Sequence, residues 1–421
     1  MIQKINLYQW HWIYALLGAT LISPIHSGLS LALAIIITIC VAILRLVFDR
    51  RSLMNGSPVF LIAGLTYASY FSINSYMTAS VDLSYIKNSL IYVVLAFNVI
   101  LLGINQKQIG LSVKISVGLI IIFLLYVFMK AGCEFEIFSH EFLKDVYHDA
   151  NNCYRVRFGS RNALMTGAMI ATLTALCYAD VPWSKPLPSI LATFGIVAGA
   201  TLVAYGTQSR GAMLALLITV PSGFYWIYVQ YGFSALTKHV FKLAMIMSIA
   251  LISLNHISGD GKHLIERINF VLDIALETET ADESISTRLD MYRSGVNAFL
   301  ESPVIGYGYE NRYNSAARLG SLRMDQHAHL HNAILNHLVA GGIFGLIVYL
   351  LLYLPFWRTI KNFQFFTTEF DFALTQFYAS FFMIGLTTST NGHFAMNAFF
   401  AITLVLLLCS KENGAQRAKE V

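Results

Sequence analysis

The sequence predicts an all-α polytopic membrane protein with about twelve transmembrane helices. Of its 421 residues, 56% are hydrophobic and 12% are charged, which is about half the charged fraction of an ordinary soluble domain, near 25%. Apolar runs of about twenty residues, long enough to cross a bilayer as helices, follow one another along the chain. Most connections between them are short. The whole chain, 1–421, is therefore predicted to form a single integral membrane domain.

The candidate spans are the apolar runs that are long enough to be membrane helices. In chain order they are 11–25, 28–48, 57–74, 84–104, 110–130, 162–179, 187–206, 211–231, 240–256, 332–354, 370–389 and 394–410. The first and last pairs are the least distinct as separate helices, because Pro24 and the polar stretch from Thr387 to His393 are typical of turns or broken helices.

The distribution of basic residues predicts the orientation. Connections that carry Lys or Arg alternate with connections that carry few or none, so the positive-inside rule places both termini in the cytoplasm. The two longest connections, 131–161 and 257–331, then fall on the other side, which in a bacterium is the periplasm. The second of these is predicted to be a large, partly helical periplasmic loop. The basic residues that mark the cytoplasmic side are Lys4, Arg50, Arg51, Lys107, Lys185, Lys238, Arg358, Lys361, Lys411, Arg417 and Lys419.

Two helical patterns lie within the loop 257–331. Apolar residues recur at helical spacing between 265 and 275, and again between 289 and 300. Both patterns predict amphipathic helices that lie on the membrane face. Ser286 or Thr287 is expected to cap the second helix, which should end near Ser302 and Pro303.

Composition and motifs also exclude several functions. The net charge of +5 is spread thinly over the loops, with no Lys or Arg run, so nothing indicates nucleic-acid binding. Gly306-Tyr307-Gly308 is predicted to be a turn rather than a nucleotide site, because no strand precedes it and no third glycine or Walker lysine follows. The absence of an ATP motif argues against a pump and favours chemistry on a substrate that is already activated.

The five cysteines are too few for a disulfide scaffold. Cys133 and Cys153 both fall in the loop 131–161, an oxidising location if that loop is periplasmic. A disulfide between them is one possibility and would stabilise the fold by about 3 kcal/mol. Two free thiols are the other.

Arg210 is the first candidate for binding an anion. It lies in a short polar turn, Gly206-Thr207-Gln208-Ser209-Arg210-Gly211, between two apolar spans. A guanidinium at a membrane interface needs water or a partner, and its planar set of donors matches the oxygens of a phosphate. The alternative is that Arg210 extends to the phosphates of ordinary membrane lipids.

Arg288 is the second candidate, in the second predicted loop helix. Arg293 follows about one turn later, is expected on nearly the same side of the helix, and is a possible supporting residue. The alternative for Arg288 is an ordinary ion pair with Asp290 or Glu283 on a solvated face. The remaining arginines of the loop are expected to be ordinary surface charges: Arg312, Arg318 and Arg323.

His331 is the candidate general base, in the segment His327-Ala328-His329-Leu330-His331-Asn332 at the foot of an apolar span. A neutral imidazole can take a proton from a hydroxyl group near neutral pH. His327 and His331 are four residues apart, so a metal site is an alternative, but no cysteine or spaced acidic pair completes a ligand set. Another alternative is that His331 only caps a helix or packs within the loop. His337 and His393 are more typical of hydrogen bonds between packed helices.

The same residues carry a resemblance to a known family. His331-Asn332, then nine residues, Gly342, two more residues and Gly345 resemble the signature of bacterial O-antigen ligases. The turn at Arg210 and the Arg-Leu-x-Met-Tyr segment at Arg288 also resemble that superfamily, which includes O-antigen polymerases and protein O-oligosaccharyltransferases. The specific similarity covers about 205–350.

The resemblance implies a metal-independent inverting glycosyltransferase of the bacterial inner membrane, without a cofactor, whose active site faces the periplasm. Its partners would be membrane lipids and an undecaprenyl-pyrophosphate-linked O-antigen donor, and not nucleic acid. In a ligase of lipopolysaccharide biosynthesis the acceptor is a sugar hydroxyl of the lipid A core oligosaccharide, whereas in a polymerase it is another lipid-linked glycan. Arg210 and Arg288 would bind the pyrophosphate and His331 would be the base. The possible supporting residues are His327, His329, Asn332 and Arg293.

Three further expectations follow. Gly342 and Gly345 are expected to let a neighbouring helix or a lipid chain approach closely. The loop tyrosines Tyr307, Tyr309 and Tyr313 are candidates for stacking against sugar rings. A secondary transporter or flippase is the alternative of a different class, but transporter sites tend to lie near the bilayer midplane between repeats, whereas these candidates lie at one interface.

Overall fold

Helices make up most of the part of the chain that the structure, a computed structural model, describes. The described residues are 58–78, 111–134, 147–149, 154–156, 163–179, 181–207, 209–258, 283–320, 329–388 and single positions between 396 and 407. The predicted spans 11–25, 28–48 and 84–104, and most of 394–410, lie outside them. The count of about twelve spans therefore stays a prediction.

The helices and strands follow one another in this order. They are α1 (Pro58–Met77), α2 (Leu111–Glu134), β1 (Tyr147–Asp149), β2 (Tyr154–Val156), α3 (Ala163–Leu176), α4 (Pro186–Thr201) with a π-helical end (Leu202–Thr207), α5 (Arg210–Tyr231), α6 (Phe233–Ser258), α7 (Glu283–Glu301), α8 (Arg312–Arg318), α9 (Ala333–Leu351), α10 (Leu354–Lys361) and α11 (Glu369–Gly385).

Four of these helices are long and apolar enough to cross a membrane. They are α2, α4 with its π-helical end, α5 and α9. Each coincides with a predicted span, because an uninterrupted apolar run of this length can satisfy its backbone groups in lipid only as a helix. The described part of the chain is therefore that of a helical membrane protein.

The helical core is formed by α3, α5 and α11, which contact one another along their lengths. Almost all of α3 is buried, although it is too short to count among the four candidate spans. Trp226 of α5 stacks on Phe372 of α11 with ring centroids 4.6 Å apart and nearly parallel rings. This aromatic contact fixes the relative position of the two helices near one end of the bundle.

That end of the bundle carries basic residues. Gln230 Nε2, near the end of α5, donates to the Phe366 carbonyl at 3.1 Å, and Tyr231 Oη donates to the Val181 carbonyl at 3.0 Å. These bonds bring together the end of α5, the turn that contains Lys185, and the connection that follows Lys361. Arg210 lies at the opposite end of α5, so the predicted cytoplasmic residues and the candidate site occupy opposite ends of one helix.

The two long loops differ in part from their predictions. In the first, α2 continues to Glu134, and β1 pairs antiparallel with β2 through Tyr147 with Val156 and Asp149 with Tyr154. The sequence did not predict this short hairpin, although the described part of the chain is all-α in class, as expected. It was missed because two three-residue strands are too short to show an alternating pattern.

In the second long loop, the predicted helix around 265–275 lies outside the described residues. The following helix, α7, is present and ends at Glu301, next to Ser302 and Pro303 as predicted. The predicted cap is wrong, because α7 already includes Glu283, and Ser286 and Thr287 lie inside the helix.

The span α9 is interrupted at Gly342, which adopts φ 61° and ψ −156°. The backbone of the loop after α7 enters this interruption. Tyr307 N and Gly308 N donate to the Val339 and Ala340 carbonyls at 2.9 Å each, and Ile343 N donates to the Pro303 carbonyl at 2.8 Å. Groups that an unbroken helix would pair internally are thus paired with a loop, which fastens that loop to the span.

Replacing Gly342 tests this interruption. Gly342→Ala should lower the free energy of unfolding by about 1–3 kcal/mol or more, since only glycine adopts this backbone conformation without strain. A β-carbon there would also lie 2.2 Å from the Val304 carbonyl oxygen. The measurement is the midpoint of thermal unfolding in detergent. The matched control is Gly118→Ala in α2, where a β-carbon meets nothing within 4 Å. Equal midpoints for the two variants would contradict the account.

Candidate active site

The C-terminal end of α11 is the point at which three distant segments meet. Gly211, the second residue of α5, lies so close to α11 that a β-carbon on it would be 3.2 Å from Thr387 Cβ. The Leu386 carbonyl accepts from Tyr292 Oη at 3.1 Å and from Asn332 Nδ2 at 3.4 Å. Arg210 precedes Gly211, Arg288 lies one turn before Tyr292, and His331 precedes Asn332. The segments that carry the two candidate arginines and the candidate base therefore contact the same few residues.

Arg210 is the first residue of α5 and is partly buried. The chain reaches it through the π-helical turn Leu202–Thr207, an arrangement that is frequent at functional sites. Gly167 of α3 holds this connection closely, because a β-carbon there would lie 2.6 Å from both Thr207 Oγ1 and Ser209 Cβ. The amide groups at the start of α5 add partial positive charge beside the guanidinium, which favours an anion.

Arg288 is partly buried near the start of α7. Burial raises the pKa of the Tyr292 hydroxyl, and the positive charge of Arg288 offsets part of that rise in pKa. The two residues are one turn apart and lie on the same side of α7, the side from which Tyr292 donates to the Leu386 carbonyl. Asp290, a predicted alternative partner of Arg288, forms an ion pair with Arg293 at 3.9 Å.

Arg293 does not share that side of the helix. A separation of five residues turns the helix by about 140° relative to Arg288. The Arg293 side chain is 79% exposed, and its ion pair with Asp290 is on the surface. The sequence-based placement of Arg293 on nearly the same face as Arg288 is therefore wrong.

His331 is partly buried and has φ 51°, in the left-handed region that residues other than glycine rarely adopt. Its ring lies 4.4 Å from the ring of His329, measured between centroids. The next residue, Asn332, is the N-cap of α9, and its Oδ1 accepts from Leu335 N at 3.0 Å. The imidazole is thus presented by a strained turn immediately before a capped helix, while His327 lies outside the described residues.

His337 is a buried packing residue, as its place inside the span suggested. Its Nδ1 lies 2.5 Å from the Ala333 carbonyl, which can only accept, so Nδ1 carries the proton. Its Nε2 then accepts from Tyr67 Oη at 2.8 Å, and its ring stacks on Tyr349 with centroids 4.2 Å apart. Both ring nitrogens are therefore paired, Nδ1 within α9 and Nε2 with α1.

The glycines of the motif contact protein backbone. A β-carbon at Gly342 would meet the backbone of Val304, and one at Gly345 would lie 2.6 Å from the His337 carbonyl oxygen and 3.5 Å from Phe71 of α1. The close neighbour of Gly342 is therefore a loop rather than the helix or lipid chain that was expected.

Two of the three loop tyrosines that were expected to stack against sugar rings are buried in the structure. Tyr309 and Tyr313 are buried, so their rings are not accessible to a glycan. Tyr307 is partly buried, and its hydroxyl donates to Glu301 Oε2 at 2.8 Å.

Arg312 was predicted to be an ordinary loop charge, and this prediction is wrong. It is 6% exposed, and its Nε donates to Asn336 Oδ1 at 2.9 Å. Sequence reasoning also missed Tyr292 and Asn336. One signal was available: Asn336 is a polar residue inside an apolar span, one turn after Asn332, and such residues usually have a specific partner.

The described residues bear on the metal alternative but not on the predicted disulfide. Within the described residues, no group of three or more His, Cys, Asp or Glu side chains is placed to hold a metal ion. Cys133 lies in the last turn of α2. Its side chain and Cys153 are outside the described part of the chain, so their disulfide stays a prediction.

A cysteine pair tests the meeting of α5 and α11. In a background without native cysteines, Gly211→Cys with Thr387→Cys should form a disulfide on mild oxidation, since the two β-carbons would lie 3.2 Å apart, slightly closer than the usual range of about 3.5–4.5 Å for such a bond. Mass spectrometry of the digested protein detects the linked peptides. The control pair is Gly211→Cys with Thr375→Cys, whose second cysteine lies about 18 Å further along the helix. Linkage in the control pair alone, or in neither, would contradict the described contact.

Comparison with known proteins shows what this region is similar to. A family model described as O-antigen ligase matches residues 194–350, which include Arg210, Arg288, His331, Gly342 and Gly345. None of the curated proteins searched matches the chain significantly. The match confirms the resemblance seen in the sequence: residues 194–350 of this chain are similar to the O-antigen ligase family.

Proposed function

We propose that the protein is an O-antigen ligase that transfers O-antigen from undecaprenyl pyrophosphate to a sugar hydroxyl of the lipid A core. The family match supports the class of reaction and a lipid-linked glycan substrate. The observation that carries the proposal is the meeting of the Arg210, Arg288 and His331 segments at residues 384–387. All three side chains are partly rather than fully buried, as binding of a substrate requires.

In the proposed reaction, His331 accepts the proton of the acceptor hydroxyl as its oxygen attacks the anomeric carbon of the donor glycan. The bond from that carbon to the pyrophosphate oxygen breaks, and the pyrophosphate leaves on its polyprenyl carrier. The electron pair of the broken bond stays on the leaving group, and the proton stays on the imidazole until it passes to solvent. A single displacement of this kind inverts the configuration at the anomeric carbon.

The two guanidinium groups match the charge that develops in this step. A departing pyrophosphate gains negative charge, and arginine presents several fixed N–H donors to phosphate oxygens. Such stabilisation is strongest where water is partly excluded, as at the partly buried ends of α5 and α7. The amide groups at the start of α5 favour the same anion. No metal ion is needed to offset the charge in this proposal, and activity should persist after chelation.

The strained turn at His331 suits the role of a base. A residue other than glycine in the left-handed region costs about 1–3 kcal/mol, and such strain often accompanies function. Here it presents the imidazole beside the start of α9. The active site should face the periplasm, because Arg210 lies at the end of α5 opposite to the one that meets the Lys185 turn.

Substitution of the three residues tests the mechanism with purified protein, lipid-linked donor and lipid A core. His331→Ala should lower the rate by about 10² to 10⁴-fold, the usual contribution of a general base. Arg210→Ala and Arg288→Ala should each lower it by about 10² to 10³-fold, because each removes preorganised donors from the leaving group.

The matched control for the arginines is Arg318→Ala, which removes an exposed arginine of α8 and should leave the rate unchanged. Transfer at the normal rate by His331→Ala and Arg210→Ala would contradict the mechanism and would favour transport or a structural role.

The choice of acceptor separates a ligase from a polymerase, since the superfamily contains both and they share the donor. Equal amounts of lipid A core and of a lipid-linked glycan repeat are offered to the same preparation, and the products are separated by mass. We expect product on lipid A core. Product formed only on the lipid-linked repeat would identify a polymerase and overturn the proposal.

A further inference from the structure

The side chain of Asn336 bridges the two residues that flank His331. Its Oδ1 accepts from Leu330 N at 3.1 Å, and its Nδ2 donates to the Asn332 carbonyl at 2.7 Å. Asn336 is fully buried and lies one turn inside α9. A single amide group therefore holds the backbone on both sides of the candidate base.

The His331 turn needs such support. Its φ of 51° is unfavourable for an L-residue and persists only where surrounding contacts fix it. Tyr292 Oη approaches the His331 carbonyl at 3.4 Å, a long contact for a hydroxyl donor. The Asn336 bond to Asn332 is shorter and comes from a group inside a regular helix, so it constrains the turn more strongly.

Arg312 fixes the orientation of this amide. Its Nε donates to the same Asn336 Oδ1 at 2.9 Å. Arginine has donors only, so the atom that faces Arg312 and Leu330 N must be the oxygen, and Nδ2 must face the Asn332 carbonyl. A rotated amide would place its NH₂ group against the donors of Arg312 and Leu330, and its oxygen against the Asn332 carbonyl, which can only accept.

Arg312 is also held in place by Tyr309. Its Nη1 donates to the Tyr309 carbonyl, and its guanidinium carbon lies 3.7 Å from the centre of the Tyr309 ring. Tyr309 follows Gly308, whose N–H is bonded to the Ala340 carbonyl in the interrupted span. Within the described residues, no carboxylate lies within ion-pairing distance of Arg312, so a buried cation is kept on neutral acceptors and one aromatic face. Burying a cation in this way is costly for packing alone.

We propose that Asn336 and Arg312 are positioning residues that hold the imidazole of His331 in line with the acceptor hydroxyl. The inference rests on the proposed role of His331 as the base. Neither residue need touch the substrate: Asn336 sets the backbone on both sides of His331, and Arg312 sets Asn336. A misplacement of about 1 Å at a reacting group can lower a rate by about 10²-fold.

The experiment measures kcat and KM of the full-length protein for the lipid-linked donor at saturating acceptor. Asn336→Leu, which removes both bonds to the turn, should lower kcat by about 10 to 10²-fold and leave KM for the donor nearly unchanged. Asn336→Asp keeps an acceptor for Leu330 N and Arg312 but loses the donor to Asn332, so its loss of kcat should be smaller. Arg312→Lys keeps the charge but not the fixed pair of donors, and should also lower kcat.

The matched control is Asn297→Leu, an exposed asparagine of α7, which should keep the kcat of the unchanged protein. A normal kcat for Asn336→Leu would overturn the inference. The inference would also be overturned if Asn336→Leu changed only KM. The same holds if its lower activity came entirely from a smaller fraction of folded protein, measured by thermal unfolding. If Asn336→Leu does not fold, Asn336→Asp and Arg312→Lys decide by the same criteria.

His331→Ala separates the two proposals. An active His331→Ala would overturn the base and the inference together. An inactive His331→Ala with a fully active Asn336→Leu or Asn336→Asp would overturn the inference alone.

Discussion

The candidate site depends on the hydrogen bonds that the backbone carbonyl of Leu386 accepts. A helix leaves its last carbonyls without partners inside the helix, and in an apolar setting each needs a donor from elsewhere. At the end of α11 the donors are Tyr292 from the long loop and Asn332 from the start of α9, while Gly211 of α5 lies alongside. Satisfying one helix end therefore assembles segments that are more than 170 residues apart in sequence, from Arg210 to Leu386.

A second constraint joins the long loop to the membrane-spanning part. The interruption of α9 at Gly342 leaves backbone groups that must be paired, and the loop 303–308 pairs them. Asn74 of α1 adds a bond from its Nδ2 to the Ile305 carbonyl at 2.8 Å. The loop is thus a fixed part of the fold near the site, which explains how residues on α7 and α8 can act together with residues on α9.

The sequence predicted the spans α2, α4, α5 and α9 because length and apolarity alone force a helix in lipid. It predicted α7 but could not show which face packs. Leu289, Val296 and Leu300 are exposed, whereas Gly295 and Ala298 are buried. Gly295 permits close approach, since a β-carbon there would lie 2.6 Å from Leu335 Cδ2. Hydrophobicity does not distinguish a face that meets lipid from one that meets protein. Asn336 is recognisable as a polar residue inside an apolar span, but its contact with Arg312 joins residues 24 positions apart, so the local pattern could not show this partner.

The central claim is that Arg210 and Arg288 bind one pyrophosphate beside His331. It is tested most directly by an experimental structure of the full-length protein with a non-transferable analogue of the lipid-linked donor. The account predicts phosphate oxygens within about 2.7–3.2 Å of both guanidinium groups and the anomeric carbon on the side of His331. A pyrophosphate bound at the end of the bundle that carries Lys185, or held by neither arginine, would contradict it.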